Sequence, residues 1–256
     1  MIKIFMNGCC GRMGRVIANM VDQMDDCEIV AGGDVVSQTE GIKFPIFTDC
    51  RACDVDFDVI IDFSHFSAVP AVLELALNKK KPIVVCTTAL ESSTVEALNE
   101  ASKVIPVFKS ANMSVGMNVL FELVRKATKA LYPGYDIEVV EAHHNRKLDA
   151  PSGTAMTIAD VIQGSIDEDM ELVFDRHSKT EKRKPNEIGM SAIRGGNIVG
   201  DHDVYFISDE ETVKISHSAH TRDVFGRGAI TAAKYVADKG PGMYDMECIV
   251  SALFKD

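Results

Sequence analysis

Apolar positions in the first 110 or so residues alternate between two rhythms. Short, largely apolar runs at 3–7, 29–34, 58–63, 83–86 and 105–108 predict strands, and the run Asp58-Val59-Ile60-Ile61-Asp62-Phe63 is typical of a strand buried on both faces. Between them, apolar residues recur at helical spacing, as at Met13, Val16, Ile17, Met20 and Val21, and predict helices over 12–24, 67–78 and 92–101. Strands separated by helices imply a parallel sheet wound on both sides.

After Asn112 the rhythm changes. A long amphipathic stretch over 115–131 stops at Tyr132-Pro133-Gly134, and a strand follows at 135–142. Ser152 is placed to cap a helix running from Gly153 towards Ile166. From 188 to 218 the pattern is mostly strand, at 188–193, 198–207 and 212–218, with Asp209-Glu210-Glu211 turning the last two into a hairpin. This reads as a second, α+β domain whose open sheet is antiparallel. A helix over 222–239 is expected to return to the first domain. The expected domains are therefore 1–114 with 223–256, and 115–222. No internal repeat or low-complexity linker stands out.

Composition narrows the class. The 256 residues suit one large or two modest domains, and 46% hydrophobic with 25% charged residues excludes disorder, collagen and coiled coil. No apolar run approaches the roughly 18 residues of a membrane span. Seven cysteines, an odd number in a chain with its own core, argue against a secreted disulfide scaffold. A net charge of −11 argues against nucleic-acid or anionic-lipid partners. The expectation is a soluble, cytoplasmic protein. Against that acidity, cations gather at Arg12 and Arg15; at His143, His144, Arg146 and Lys147; over 176–184; and at His217, His220, Arg222 and Arg227. Such clusters suit small anions, except 176–184, which reads as a solvated face.

Two constellations carry chemistry. Gly8-Cys9-Cys10-Gly11-Arg12-Met13-Gly14 joins the first strand to the first helix. Glycine there permits a tight turn, close approach to a pyrophosphate and close helix packing, and the helix N-terminus offers free N–H groups. Cys10 stands at the middle position of the usual G-x-G-x-x-G fingerprint. Asp34, about 20 residues on at the end of the second strand, suits the adenine-ribose hydroxyls. Order and spacing point to a Rossmann-type dinucleotide domain. A carboxylate repels a 2′-phosphate, and Val35, Val36, Ser37 and Gln38 supply no cation, so NADH is favoured over NADPH. Arg12 or Arg15 would be the groups to reach such a phosphate.

The second is Glu141-Ala142-His143-His144-Asn145-Arg146-Lys147-Leu148-Asp149-Ala150-Pro151-Ser152-Gly153-Thr154-Ala155. Adjacent histidines on a strand point to opposite faces, so His143 and His144 do not grip one ion, and no metal site is expected. A strand end delivers two imidazoles and an ammonium, and Ser152-Gly153-Thr154 opens a helix whose hydroxyls and N–H groups form a carboxylate cradle. Histidine suits proton transfer near neutral pH, and lysine suits stabilising developing negative charge.

The pairing of these motifs resembles the dihydrodipicolinate reductase family, the 4-hydroxy-tetrahydrodipicolinate reductases of diaminopimelate and lysine biosynthesis. Likeness continues through Asp62-Phe63-Ser64, Cys86-Thr87-Thr88, the segment from Ala111 to Asn118, the segment from Arg194 to His202, and Phe225-Gly226-Arg227-Gly228-Ala229. The resemblance implies an α/β fold with a Rossmann-type domain, plus an α+β substrate and oligomerisation domain with an open mixed sheet that joins four subunits. It implies that Gly8, Gly11, Arg12, Met13 and Gly14 cradle the pyrophosphate and that Asp34 takes the ribose. Thr87, Thr88, Ala111, Asn112 and Met113 would line the nicotinamide side. His143 is the implied proton donor with Lys147 as charged partner, while His144, Lys147, Ser152, Gly153 and Thr154 hold a dicarboxylate substrate. Cys86, Met113 and Asn145-Arg146 depart from the family pattern.

The reaction so implied moves hydride to ring C4 of a conjugated cyclic imine, formed by loss of water, with His143 protonating the neighbouring carbon. The domains would have to close, hinging near 112–115 and 219–224. Two alternatives compete. A semialdehyde or diaminopimelate dehydrogenase relative is one; the semialdehyde enzymes need a cysteine nucleophile, and none of the cysteines is well placed. A nucleotide-sensing protein without turnover is the other. Cys50 and Cys53 are read as free buried thiols rather than a redox pair.

Overall fold

The protein is described here by a computed structural model covering residues 1–37 and 40–254; Gln38, one of the uncharged residues after Asp34, lies outside the described residues. In chain order the first elements are β1 (Ile2–Asn7), α1 (Arg12–Val21), β2 (Cys27–Gly33), β3 (Ile46–Phe47), β4 (Val59–Asp62), α2 (Val69–Lys79), β5 (Ile83–Val85), α3 (Ser92–Ala101) and β6 (Pro106–Lys109). There follow α4 (Val115–Leu131), β7 (Asp136–His143), α5 (Gly153–Gln163), β8 (Glu171–Val173), β9 (Glu187–Arg194), β10 (Gly200–Ile207) and β11 (Thr212–Ala219). The last are α6 (Asp223–Val236), β12 (Gly242–Tyr244) and α7 (Met246–Leu253). Two compact units result, Met1–Ser114 with Asp223–Asp256, and Val115–Arg222.

In the first unit the apolar runs pair into a seven-stranded sheet ordered β12-β6-β5-β4-β1-β2-β3, every pairing parallel. All four residues of β4 are buried, as helices on both faces demand. Phe5, Phe57, Ile60, Val72, Leu98 and Val107 fill one face beneath α2 and α3. On α6, small residues admit close neighbours: Gly226 meets Val16, Ile17 and Met20, and a β-carbon at Gly228 would strike the Met113 carbonyl. The strand order reverses between β1 and β4, which opens a crevice at the carboxyl edge, where parallel sheets bind ligands.

The second unit holds a five-stranded sheet ordered β11-β10-β7-β9-β8. Alternation along β7 sends Ile137, Val139, Glu141 and His143 inward, and α4 and α5 complete that core with Met117, Leu120, Val124, Ile158 and Ile162. The β10–β11 hairpin forms as read, closed by Ser208 N–H on the Glu211 carbonyl at 2.9 Å. The sheet is mixed rather than antiparallel throughout. Strand β9 runs parallel to β7 and β8 because long connections, not hairpins, lead into it. The 176–184 segment is also more than a solvated face: Arg176 pairs with buried Glu187, and Arg183 donates to the carbonyls of Ile137 and Glu187 at 2.8 and 2.7 Å.

Candidate active site

In the first unit, β1 ends in the glycine turn. Gly8 adopts φ +78, and a β-carbon there would run into the Phe63 carbonyl. A β-carbon at Gly14 would collide with the Gly8 carbonyl, so helix α1 sits tight on the turn only because both positions are glycine. Asp34, just past β2, accepts the Cys10 N–H through Oδ2 and the Val35 N–H through Oδ1, both at 2.8 Å. These bonds aim the carboxylate into a cleft of about 780 Å³ lined by Gly8, Gly11, Arg15, Asp34, Arg51 and His65 among others. The shape suits a dinucleotide: a glycine-bearing turn, a helix N-terminus and an acid for ribose hydroxyls.

Arg12, Met13 and Gly14 are not among the residues lining that cleft; Arg12 is exposed, Met13 half-buried and Gly14 buried. Arg15 lines it instead, its Nε donating to the Cys10 carbonyl at 3.1 Å. Arg51 and His65, which the spacing did not mark, join it. Arg51 is already paired with Asp49 at 2.8 Å and Glu74 at 3.5 Å.

Beside the turn lies a buried acid to which the sequence pattern alone assigns no role. Asp62, fully buried, accepts from Asn7 Nδ2 at 2.7 Å, Ser64 Oγ at 2.5 Å and Thr87 Oγ1 at 2.6 Å. Burial pushes its carboxyl up, against the pull of these donors. The Thr87 hydroxyl also accepts the Ser64 N–H at 3.0 Å, so it ties the loops after β4 and β5 together. Thr88 is exposed beyond it. In the loop after β6, Ala111 is exposed and Asn112 half-buried, its Oδ1 accepting the Ser114 N–H at 2.9 Å. Met113 is buried.

In the second unit, cross-strand register assembles the site. His143 on β7 pairs with Arg194 on β9, and His202 lies opposite Glu141. Glu141, 1% exposed, is the hub. Arg194 grips both its oxygens at 2.7 Å, the Ser152 N–H donates to Oε1 at 3.0 Å, and His143 Nδ1 lies 2.6 Å from Oε2. Burial alone would raise this carboxyl, but the bonds from Arg194, His143 and Ser152 hold it below the ordinary glutamate value. An ionised Glu141 accepts, so His143 Nδ1 carries hydrogen and Nε2 is the ring nitrogen that Glu141 does not engage. Gly200 packs against that nitrogen; a β-carbon there would lie 3.1 Å from it.

Lys147, 21% exposed at its side chain, pairs with Asp149 at 2.9 Å. His144 is half-buried, and burial together with Arg146, Arg222 and Lys147 lowers its pKa. Gly153 and Thr154 begin α5, exposed and half-buried. Ser152 sits at the head of α5. It is 2% exposed, its oxygen caps α5 by accepting the Ala155 N–H at 3.1 Å, and it meets His202 Nε2 at 3.1 Å.

His202 gives a pH signature. Burial, followed by the neighbouring His143, pushes its imidazole down to about 4. An unfolded chain takes up that proton near pH 6.5, the folded one only near 4, so the unfolded state binds more protons in between. Stability is complete above pH 6.5 and declines as pH falls towards 4, by about 3 kcal/mol. Urea unfolding across that window should show the decline in the wild type and a flatter profile in His202→Gln. Equal slopes would remove His202 as its source.

Parallel strands meeting at a glycine turn suit a dinucleotide, and an imidazole steadied by a buried carboxylate suits proton transfer. That combination defines an oxidoreductase working with a nicotinamide dinucleotide. Residues 2–113 match the family model "Dihydrodipicolinate reductase, N-terminus" and residues 116–250 its "C-terminus" counterpart. The chain belongs to the dihydrodipicolinate reductase family, whose enzymes are NAD(P)H-dependent oxidoreductases. It is 48% identical over 250 residues to the 4-hydroxy-tetrahydrodipicolinate reductase of Caldanaerobacter subterraneus subsp. tengcongensis, covering 98% of both chains. The enzyme of that name from Clostridium tetani is 44% identical over 252 residues, again covering 98% of both. Among solved structures, the dipicolinate-bound dihydrodipicolinate reductase from Paenisporosarcina sp. TG-14 shares the fold, with a TM-score of 0.82 at 20% identity over 97% of this chain and 99% of that one.

Proposed function

We propose that the chain reduces 4-hydroxy-tetrahydrodipicolinate to tetrahydrodipicolinate in diaminopimelate and lysine biosynthesis, with NADH favoured over NADPH. The observation that carries the reading is the Glu141–His143 pair, bonded at 2.6 Å, in the unit that also presents the α5 N-terminus. The activity for which the relatives are named supports it, as does the dicarboxylate bound by the Paenisporosarcina enzyme.

Reduced nicotinamide, when bound, supplies the hydride. The Gly8–Gly11 turn and the first turn of α1, with Arg12, Met13 and Gly14, hold the pyrophosphate through backbone N–H groups. Asp34 takes the ribose. Thr87, Thr88, Ala111, Asn112 and Met113 line the nicotinamide side, with Thr87 also tying the loops after β4 and β5 together. His144, Ser152, Gly153 and Thr154 bind the substrate carboxylates, and Lys147 exchanges Asp149 for one of them. His143, as the imidazolium with hydrogen on both ring nitrogens, delivers its Nε2 proton to the carbon beside the one reduced and is left neutral, while Glu141 holds the ring through Nδ1. Among the described residues no helix is long and apolar enough to cross a membrane, and a cytoplasmic homotetramer is the expected form. The face of the second sheet away from α4 and α5, with Ile193 53% and Ile207 36% exposed, supports assembly there.

Following nicotinamide oxidation after coupling to the preceding synthase tests the activity. NADH should give the higher kcat/KM. Asp34→Asn should shift the NADH-to-NADPH ratio towards NADPH by about 10-fold, the worth of one charge-assisted hydrogen bond. No turnover with either cofactor would overturn the activity, and an unmoved ratio the role of Asp34.

A further inference from the structure

The turn that suits a pyrophosphate also gathers two thiols. Adjacent residues on an extended strand send side chains to opposite faces. After Gly8, at φ +78, the backbone turns, and the sulfurs of Cys9 and Cys10 lie 3.9 Å apart. Asp34 is drawn to the same place by its 2.8 Å bond from the Cys10 N–H, across 24 residues of sequence. Ligand atoms of all three residues lie within 4.8 Å of one another. Spacing along the chain gave no sign of this group, because the third member arrives through strand pairing.

The separation has a chemical meaning. A tetrahedral zinc ion with Zn–S bonds of about 2.3 Å sets its two sulfurs roughly 3.8 Å apart. The two thiols therefore already stand at the edge length of such a tetrahedron. Two sulfurs and one carboxylate select a thiophilic ion over Mg²⁺ or Ca²⁺, which demand a shell of oxygens. Cys9 is buried, but Cys10 lines the cleft, which gives an ion its way in.

We propose that Cys9, Cys10 and Asp34 form a binding site for a thiophilic divalent cation of the Zn²⁺ and Cd²⁺ type, and that an ion there excludes the dinucleotide. Two metal–sulfur bonds and one metal–oxygen bond form, the two thiol protons leave to solvent, and no electron changes hands. Water completes the tetrahedron. Exclusion follows because the ion takes the Asp34 carboxylate; this second half rests on the reading of Asp34 as the ribose ligand, whereas the site itself does not.

Titration of the reduced, full-length protein with Cd²⁺ reads the site directly through sulfur-to-cadmium charge-transfer absorbance in the ultraviolet. One equivalent per chain should saturate the band in the wild type, in Cys248→Ala and in Cys50→Ala. Cys10→Ala should weaken binding roughly 100-fold or more. Asp34→Asn, which keeps the turn's acceptor, should weaken it as well and guards against a folding defect in the first variant. A band that survives in both variants overturns the site. In a parallel fluorescence titration, the apparent Kd for NADH should rise in proportion to Cd²⁺ in the wild type and stay level in Cys10→Ala. Loss of the band in Cys10→Ala with NADH binding indifferent to Cd²⁺ would overturn exclusion, and the ribose role of Asp34 with it, while upholding the metal site.

Discussion

His143→Gln should lower kcat by ~10²–10⁴-fold, the range a positioned general acid contributes, with little change in affinity for reduced nicotinamide. The asymmetry follows from where the residue stands. His143 belongs to the second unit, at the end of β7, whereas the glycine turn and Asp34 belong to the first. Glutamine keeps a polar group of similar reach and can still bond Glu141, so the sheet should survive. Stopped-flow reduction with separate measurement of NADH binding checks both halves. Equal losses in turnover and cofactor binding would remove His143 from proton transfer.

Glu141→Gln should be costly in two ways. Four donors converge on the two carboxylate oxygens, from Arg194 twice, from Ser152 and from His143. An amide turns an N–H towards one of them whichever way it flips. It also leaves the Arg194 guanidinium, 19% exposed at its side chain, without its counter-charge. Breaking one side of such a buried pair costs about 3–5 kcal/mol, and urea unfolding should register it. Turnover per folded molecule should fall as well, on the order of 10²-fold or more, because a neutral amide neither orients the ring through Nδ1 as firmly nor balances the charge of the imidazolium that donates. The KM for nicotinamide should hold. A destabilised variant whose folded fraction turns over at the wild-type rate would make Glu141 a structural residue only.

Legibility followed range along the chain. Parallel strands announced themselves because burial on both faces makes a run apolar throughout, as in β4. The cap at Ser152 and the β10–β11 hairpin are likewise local events. Strands β3, β8 and β12, of two or three residues, are too short to carry a period, and α7 follows directly on the last of them. The direction of β9 was hidden because its partner β7 lies some 50 residues away. The same distance hid the supports of the site. Glu141, Arg194 and His202 stood inside recognisable motifs, yet only the register of three strands shows that they act on His143 and Ser152. Asp62 was read as the end of a strand, since nothing nearby in sequence reveals Asn7 and Thr87 as its donors.

Helix α6 comes from the far end of the chain, yet its residues Ala229, Ile230, Ala232, Ala233 and Val236 are buried within the unit that begins at Met1. During synthesis the ribosome must therefore deliver the whole intervening 115–222 segment before the opening strands receive their last covering. A gene cut after Ser114 would encode a sheet with one flank bare, prone to clump, whereas a circular permutant fusing 223–254 ahead of Met1 would let that half mature by itself.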